Sequence, residues 1–321
     1  MTFKSRTKYT WEGWKSRGQE PLVFSVEHPC ELMGAHAKLI DNQLGDSEKI
    51  KYCLYSPRVS STSTPFGLKV EESSRGLCIT DNRFIISRDW HTTDIKTRVN
   101  SIWFDDILYF NIGKALLLGW FTINYQRDGQ DAQENILFGS IGKHHFEKVI
   151  RSYKKYSLAV NPDDLDRESF PPGSFIHKIE NKIHAEHLKT LLAQGERCFL
   201  TFPCRYLWQK VFRKPSFFKK KKAVYPMSKA TFLLTNKALL LARDSLGDFI
   251  GTGVEVQNIP INKIKSISIA EENLYGYIVQ KIKVAFTVGG CAVEMPLVVD
   301  GDSINNFIDV LEGLHVGIMK T

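Results

Sequence analysis

Two patterns of apolar and polar positions occur twice along the chain, about 150–157 residues apart. The stretch LCITDNRFIISRD at 77–89 matches TFLLTNKALLLARD at 231–244. Each copy has an apolar run, a polar centre at Asn82 or Asn236 followed by a base, and a second apolar run that ends in Arg-Asp. A polar Asx centre between two apolar runs favours a tight turn between paired strands. Each copy therefore predicts a β-hairpin.

The second repeated pattern pairs IWFDDILYFNI at 102–112 with IPINKIKSISI at 259–269. The apolar positions align without a gap: Ile102, Phe104, Ile107, Phe110 and Ile112 with Ile259, Ile261, Ile264, Ile267 and Ile269. The alternation in the later residues is typical of a strand with one buried face. Each stretch therefore predicts a short turn that leads into a strand.

The flanking elements follow the same order in both halves. The apolar spacing predicts a leading helix in each half, over 29–44 and 175–194, and a closing amphipathic helix, over 143–156 and 303–316. Gly195 is placed to end the second leading helix. Two strands joined by a glycine turn precede each closing helix, with the turns at Asp128–Gly129 and Gly289–Gly290.

This order predicts an α+β fold made of two similar units. Each unit is expected to be a bent antiparallel sheet or partly open barrel of about seven strands, with a leading helix and a C-terminal helix that closes it. The acids and prolines of 161–173 are typical of a linker. The predicted divisions are an N-terminal arm at 1–19, a first domain at 20–160, the linker at 161–173 and a second domain at 174–321.

Composition indicates a globular protein with locally concentrated charge. The chain has 321 residues, 43% hydrophobic and 24% charged, and a formal net charge of +8. The six cysteines form no C-x-x-C pair, which favours free, mostly buried thiols in a reducing compartment. The N-terminus has no apolar signal-peptide region, and no apolar stretch approaches the roughly 20 residues that cross a bilayer. We expect a cytoplasmic protein, with any contact at the inner membrane surface being peripheral.

Most of the excess charge lies in one segment, residues 205–222. Its basic side chains are Arg205, Lys210, Arg213, Lys214, Lys219, Lys220, Lys221 and Lys222. Aromatic side chains are interleaved with them at Trp208, Phe212, Phe217 and Phe218, and the segment contains no acid. A local basic patch indicates an anionic partner.

Three interpretations of this segment remain open. Lysines and aromatic rings together can attach a protein reversibly to an anionic membrane, with the rings as candidates for insertion. Bases with interleaved rings also suit single-stranded nucleic acid, although no nucleic-acid-binding motif is present. In the third interpretation the lysines form a solvated loop, and Trp208 and Phe212 belong to a strand.

The strand pattern LTNKALLLARD followed by IPINKIKSI, with the C-terminal helix, resembles the pleckstrin-homology-like superfamily, and especially its bacterial and GRAM-type members. There, a strand that ends in T-N-x-R/K is followed by an I-P-(apolar)-x-x-I pattern. The first copy departs from it, with Trp103 where the second has Pro260. The resemblance implies two such domains in tandem, which bind lipids, peptides or proteins and carry no catalytic residues.

The resemblance also implies where ligands bind. In lipid-binding members the basic residues lie on the first strand and on the loop that follows it. That loop runs from about Arg205 to Ala230 in the second copy and so contains the basic–aromatic segment. The equivalent stretch of the first copy, 58–76, has few bases and includes Glu71 and Glu72. Only the second copy is therefore expected to bind its ligand by electrostatic attraction.

The sequence has no recognisable catalytic or cofactor motif. It lacks GxSxG, Walker and HExxH patterns. His184 and His187, with His177 and Glu180 nearby, make a zinc site conceivable, but we expect this polar helix face to be solvated. We therefore predict no enzyme activity, metal or cofactor. Trp11 and Trp14 in the N-terminal arm are expected to pack on the first domain.

The predicted function is non-enzymatic attachment of the second domain to anionic lipid headgroups or an acidic protein surface through residues 205–222. The first domain would pack against the second or bind a protein partner, including a second copy of the chain. In the alternative, both domains are protein–protein adaptor or assembly modules and the basic loop is a solvated face. Single-stranded nucleic acid is the third possible partner.

Overall fold

The structure is a computed structural model that describes residues 22–61, 70–89, 98–115, 118–156, 170–208, 211–212, 223–224, 227–247, 251–288, 290–313 and 317–320. Trp11, Trp14 and most of the predicted linker lie outside these ranges. The described residues form a mixed α+β structure of mostly antiparallel sheets with few helices, and the sheets are not closed barrels. The predicted α+β class is confirmed at this level.

The first half contains two helices and ten strands among the described residues. In chain order they are β1 (Phe24–Val26), α1 (His36–Asp41), β2 (Tyr52–Ser56), β3 (Val59–Ser61), β4 (Val70–Glu72), β5 (Ser74–Ile79), β6 (Arg83–Asp89), β7 (Arg98–Trp103), β8 (Ile107–Ala115), β9 (Leu118–Arg127), β10 (Gln130–Gly139) and α2 (Lys143–Tyr156). Helix α1 is much shorter than the helix predicted over 29–44.

The second half follows a similar order. Its described elements are α3 (Pro172–Ile176), α4 (Lys182–Leu191), β11 (Cys198–Leu207), β12 (Val211–Phe212), β13 (Ala223–Val224), β14 (Met227–Thr235), β15 (Ala238–Gly247), β16 (Gly251–Pro260), β17 (Ile264–Leu274), β18 (Tyr277–Phe286), β19 (Ala292–Val298), α5 (Gly301–Gly313) and β20 (Gly317–Lys320). The single helix predicted over 175–194 is wrong. Asn181 caps a new helix there, because its Oδ1 accepts the Ile183 and His184 N–H groups at 3.1 and 3.3 Å.

Both predicted hairpins are present. Strand β5 pairs with β6 in the register Ile79↔Phe84, and β14 pairs with β15 in the register Leu234↔Leu239. The second repeated pattern is a short 3-10 turn that leads into β8 in the first half and into β17 in the second. The small hairpins β3–β4 and β12–β13 occupy corresponding places in the order of strands.

One strand pairing joins the two halves into a continuous sheet. Strands β1, β2, β5, β6 and β7 form a five-stranded sheet, whereas β8, β9 and β10 belong to an eleven-stranded sheet with the strands of the second half. The join is the antiparallel pair β8–β16, which aligns Phe110–Lys114 with Val254–Asn258. The halves are therefore connected by backbone hydrogen bonding as well as by side-chain packing.

Helix α4 packs between the two halves. One face contacts α2 of the first half and another contacts β14, β15 and β16 of the second. A single apolar cluster accordingly includes Phe110 and Phe146 of the first half, Leu188 of α4, and Leu240 and Val256 of the second sheet. A separate cluster fills the second half beneath α5, and a smaller one lies under α1.

A buried ion pair crosses the same interface. Lys154 of α2 donates to Glu196 at 2.9 and 3.2 Å, and their side chains are 1% and 0% exposed. Glu196 also accepts the Ala193 N–H at 2.7 Å and the Thr235 hydroxyl at 2.5 Å. In the first half, hydrogen bonds to Glu48 from Arg83 Nη2 at 2.6 Å and from the Thr80 hydroxyl at 2.8 Å lower the pKa of Glu48 to about 2.

The six cysteines are free thiols, as predicted. Four are buried, Cys30 is exposed and Cys291 is half-buried. Cys53 and Cys78 lie directly opposite each other on β2 and β5, with 3.0 Å between their sulfur atoms. Over the ranges given above, no helix combines the length and apolar character needed to cross a membrane.

Replacing Lys154 by methionine is expected to destabilise the protein by about 3–5 kcal/mol, because Glu196 would stay buried without a cation. The matched control is Lys155→Met on the neighbouring, exposed position, which should change stability by less than about 0.5 kcal/mol. Urea unfolding monitored by circular dichroism gives both free energies. Equal effects of the two substitutions would contradict the structural role assigned to the Lys154–Glu196 pair.

Candidate functional site

The basic–aromatic segment begins on β11. Arg205 lies on this strand with an exposed side chain, Trp208 follows the strand and is half-buried, and Phe212 contributes its backbone to β12. The other candidate residues lie outside the described residues: Lys210, Arg213, Lys214, Phe217, Phe218, Lys219, Lys220, Lys221 and Lys222. The site is therefore built from the strands that enter and leave this segment.

Two basic side chains face each other at the start of the segment. Arg205 on β11 is the register partner of Lys229 on β14, and both are exposed. Strand alternation explains the exposure, because the adjacent residues Cys204 and Ala230 are buried in the core of the second half. No acid among the described residues forms an ion pair with either side chain. Like charges in directly opposite positions destabilise a sheet.

Arg205 and Lys229 line a groove on the outer side of the β11–β14 pair, with a volume of about 1180 Å³. One wall is the connection from α3 to α4 and the first turn of α4, at 178–183. On the other side of β11 the lining continues with the end of β19 and the residue before α5, at 298–300, where Val298 is the register partner of Arg205. The floor comes from 201–205 and 229–231. Arg205 was predicted from the sequence, whereas Lys229 and the groove were not.

A buried histidine connects the groove wall to its floor. His184 of α4 has Nδ1 2.9 Å from the Thr231 hydroxyl and Nε2 3.0 Å from Asp244 Oδ1, and its side chain is 0% exposed. Burial lowers the pKa of His184, although hydrogen bonding to Asp244 opposes that shift. In the neutral ring Nε2 donates to Asp244 and Nδ1 accepts from Thr231, which satisfies both nitrogens.

The first half contains a comparable arrangement. His36 of α1 is buried, with Nδ1 2.7 Å from the Ser87 hydroxyl and Nε2 3.0 Å from the Ser74 hydroxyl. In each half, a histidine of the leading helix thus contacts side chains from the second and third strands of the main sheet. The recurrence, with both rings enclosed, favours a structural role in anchoring the helix over a catalytic role.

The expectation that the histidine face of 175–194 is solvated is wrong for two residues. His184 is buried as described, and His187 is 8% exposed with Nδ1 2.9 Å from Lys143 Nζ at the interface with α2. His177 and Glu180 are exposed as expected. Within the described part of the chain, no cluster of three or more metal-binding side chains is present.

Trp208 is held by contacts within the protein. Its Nε1 donates to the Ser228 hydroxyl at 2.9 Å, and its ring meets that of Tyr206 edge to face at 5.1 Å. The Arg243 guanidinium lies 4.5 Å from the Trp208 ring centre and forms an ion pair with Glu255 at 3.3 Å. Membrane insertion of Trp208 would require breaking this arrangement, so the structure favours a packing role for this ring.

In the corresponding region of the first half, a basic side chain forms ion pairs with acids of the same molecule. Arg75 on β5 is 1% exposed, and its side chain contacts Glu72 and lies 3.9 Å from Glu134. Arg88 on β6 also pairs with Glu134, at 3.1 Å. These bases are neutralised within the molecule, whereas no acid in the described part of the chain pairs with Arg205 or Lys229.

Comparisons with known proteins add little to this geometry. No protein-family model matches the chain, and no curated protein matches it. Among solved structures, the chain is similar to the hSac2 domain from human phosphoinositide phosphatase Sac2, with 13% identity over 45% of this chain and 91% of that one, at a TM-score of 0.27. A TM-score this low supports no inference about fold or function.

Lowering the pH from about 6.5 toward about 4 is expected to destabilise the protein. Burial lowers the pKa of His187 to about 4, so below pH 6.5 the unfolded chain binds a proton there that the folded protein does not. The contribution of neutral His187 to the free energy of unfolding is fully present above pH 6.5 and is lost as the pH falls toward 4. His184 acts in the same direction, because its pKa is also lowered.

Between pH 7.5 and pH 4.5, the free energy of unfolding of the variant His187→Gln is expected to fall by about 1 kcal/mol less than that of the wild type. One pKa unit corresponds to about 1.4 kcal/mol, and solvent screening reduces the full effect. Glutamine retains an acceptor for Lys143 and cannot titrate. Urea unfolding at the two pH values measures the difference. The assignment fails if wild type and variant show the same pH dependence.

Proposed function

We propose that the protein is a non-enzymatic binding protein of two pleckstrin-homology-like units in tandem, and that the second unit attaches to an anionic membrane surface through residues 205–222. The shared order of elements supports two related units, with seven main strands before the closing helix in each half. The matching Thr80–Glu48 and Thr235–Glu196 contacts support the same conclusion.

The opposition of Arg205 and Lys229 is the single observation that carries the proposal. Two exposed, like-charged side chains directly across a strand pair cost stability, and no described acid compensates them. A bound anion would remove that cost. Arg205 lies near the end of β11 and Lys229 near the start of β14, and these two strands flank the lysine-rich segment in sequence. These two bases and the lysines of the segment would therefore reach the same membrane surface.

The energies are sufficient for reversible attachment. Each Lys or Arg near an anionic leaflet contributes roughly 1 kcal/mol, so the eight bases of the segment would supply several kcal/mol after screening. Because Trp208 packs within the protein, Phe217 and Phe218 are the better candidates for apolar contact, at roughly 1–3 kcal/mol each when buried. Charge and apolar contact together make such attachment stable.

A protein–protein adaptor is the second candidate function, and one observation favours it. The tip of the β17–β18 hairpin exposes Tyr275, Tyr277 and Ile278, which are 53%, 40% and 64% accessible. Tyr275 has a φ of 58°, a backbone conformation that residues other than glycine rarely adopt. Adjacent exposed apolar side chains at a hairpin tip are typical of a contact surface.

Reversing the four consecutive lysines should weaken sedimentation with vesicles that contain anionic phosphatidylserine by at least about tenfold, because four attractive contacts become repulsive. The reversed residues are Lys219, Lys220, Lys221 and Lys222, each changed to Glu. The matched control changes the exposed lysines Lys38, Lys155, Lys189 and Lys265 to Glu, which gives the same change in net charge at scattered positions.

Wild-type protein should not sediment with neutral phosphatidylcholine vesicles. A salt titration against vesicles and against a single-stranded oligonucleotide separates the two anionic partners, because apolar insertion leaves residual binding to lipid at high salt. Equal loss of binding in the segment variant and the scattered control would reject a localised membrane site. Tighter binding to the oligonucleotide would assign the segment to nucleic acid.

A further inference from the structure

The groove beside β11 has a shape that a flat bilayer cannot fill. Its floor is the outer face of the β11–β14 pair, continued by the end of β19, and residues 178–183 form a wall beside it. A volume of about 1180 Å³ exceeds the usual size of a small-molecule pocket and leaves room for a short peptide segment.

Apolar side chains are also exposed along the groove. Ile183, in the first turn of α4, is 60% accessible and lines the groove. Pro203 on the floor is exposed, and Val298 and Val299 at the end of β19 are half-buried. An apolar stretch rimmed by polar residues is typical of an interaction site.

Among the described residues, most charged side chains that line the groove are basic and have no ion-pair partner. Lys182 lies on the α4 wall and is exposed, and Arg205 and Lys229 lie on the floor. Lys178 is also on the wall, with its ammonium group 5.0 Å from the ring centre of Phe175. A partner with negative charges would find complementary groups on both the wall and the floor.

Of the three acids that line the groove among the described residues, two already accept hydrogen bonds. Asp244 accepts a hydrogen bond from His184, and Asp300 caps α5 by accepting the Ser303 N–H at 2.7 Å and hydroxyl at 2.9 Å. These bonds with Ser303 lower the pKa of Asp300. Glu180 is the third acid and is exposed. The available donors therefore favour an acidic ligand.

We propose that this groove docks an acidic, apolar peptide segment of a protein partner. Carboxylates of the segment would pair with Lys182, Arg205 and Lys229, while its apolar side chains would contact Ile183 and Val299. The wall and floor would then bury one amphipathic face of the segment, which supplies specificity that charge alone does not. The site shares Arg205 and Lys229 with the membrane attachment proposed above, and it differs in using Ile183 and Val299 rather than the lysines at 219–222.

Selection of random twelve-residue displayed peptides on the full-length protein tests the proposal. Enriched peptides should combine Asp or Glu with large apolar residues. Synthetic, fluorescein-labelled versions are then titrated by fluorescence anisotropy. The variants Lys229→Glu and Ile183→Asp should each weaken binding by about tenfold or more, since one removes a charge contact and the other an apolar contact.

Two controls separate this site from the membrane segment. Ile141→Asp changes an isoleucine that is 70% exposed and lies outside the groove, and it should leave peptide binding unchanged. Reversal of Lys219–Lys222 should also leave peptide binding unchanged, even where it abolishes vesicle sedimentation. Circular dichroism and urea unfolding establish that each variant is folded.

Three outcomes would overturn the proposal. In the first, no acidic, apolar peptides are enriched. In the second, their binding survives both Lys229→Glu and Ile183→Asp in folded protein. In the third, inositol hexakisphosphate binds in a manner that depends on Lys229 but not on Ile183 and the enriched peptides do not compete with it, which would assign the groove to a phosphorylated ligand.

Discussion

The antiparallel pairing of β8 with β16 is the interaction on which the described structure depends. Backbone groups at a strand edge need partners, and this pairing satisfies the facing edges of both halves at once. It brings α2 of the first half beside α4 of the second, so that one apolar cluster spans them. The buried Lys154–Glu196 pair between the halves follows from that arrangement.

The groove is a consequence of how α4 is fixed. Asn181 begins the helix, and His184 attaches its first turn to β14 and β15 through Thr231 and Asp244. Residues of that turn therefore form a wall at a set distance from Arg205 and Lys229. A wall held by two hydrogen bonds on one buried ring is pre-organised, which reduces the entropy lost when a ligand binds.

Local features of the fold were predictable from sequence, and long-range pairings were not. The apolar runs on either side of Asn82 and Asn236 identified both hairpins, because apolar runs and Asx turns are local properties of the sequence. No side-chain pattern indicated that β8 pairs with β16, since the groups that make the join are the backbone amides that nearly every residue carries. The break at Asn181 was missed because the apolar spacing continues across it.

In the candidate site, too, features that are local in sequence were predictable and long-range pairings were not. Arg205 was identified from the local excess of charge, whereas Lys229 is far away in sequence and only the strand register places it opposite. His184 was taken for a solvated residue, although Leu188 and Leu191 on the same helix are buried and indicate its face. Its spacing of four residues from Leu188 was the available signal.

The shared sheet also constrains how this protein can change over evolutionary time. If recombination transferred either half alone to another chain, β8 or β16 would become a bare edge that could add strands from neighbouring copies. The second half would also carry Glu196 into that new context without its cation. The two halves are therefore expected to be inherited together, unlike domains connected only by a flexible tether, which can be exchanged singly.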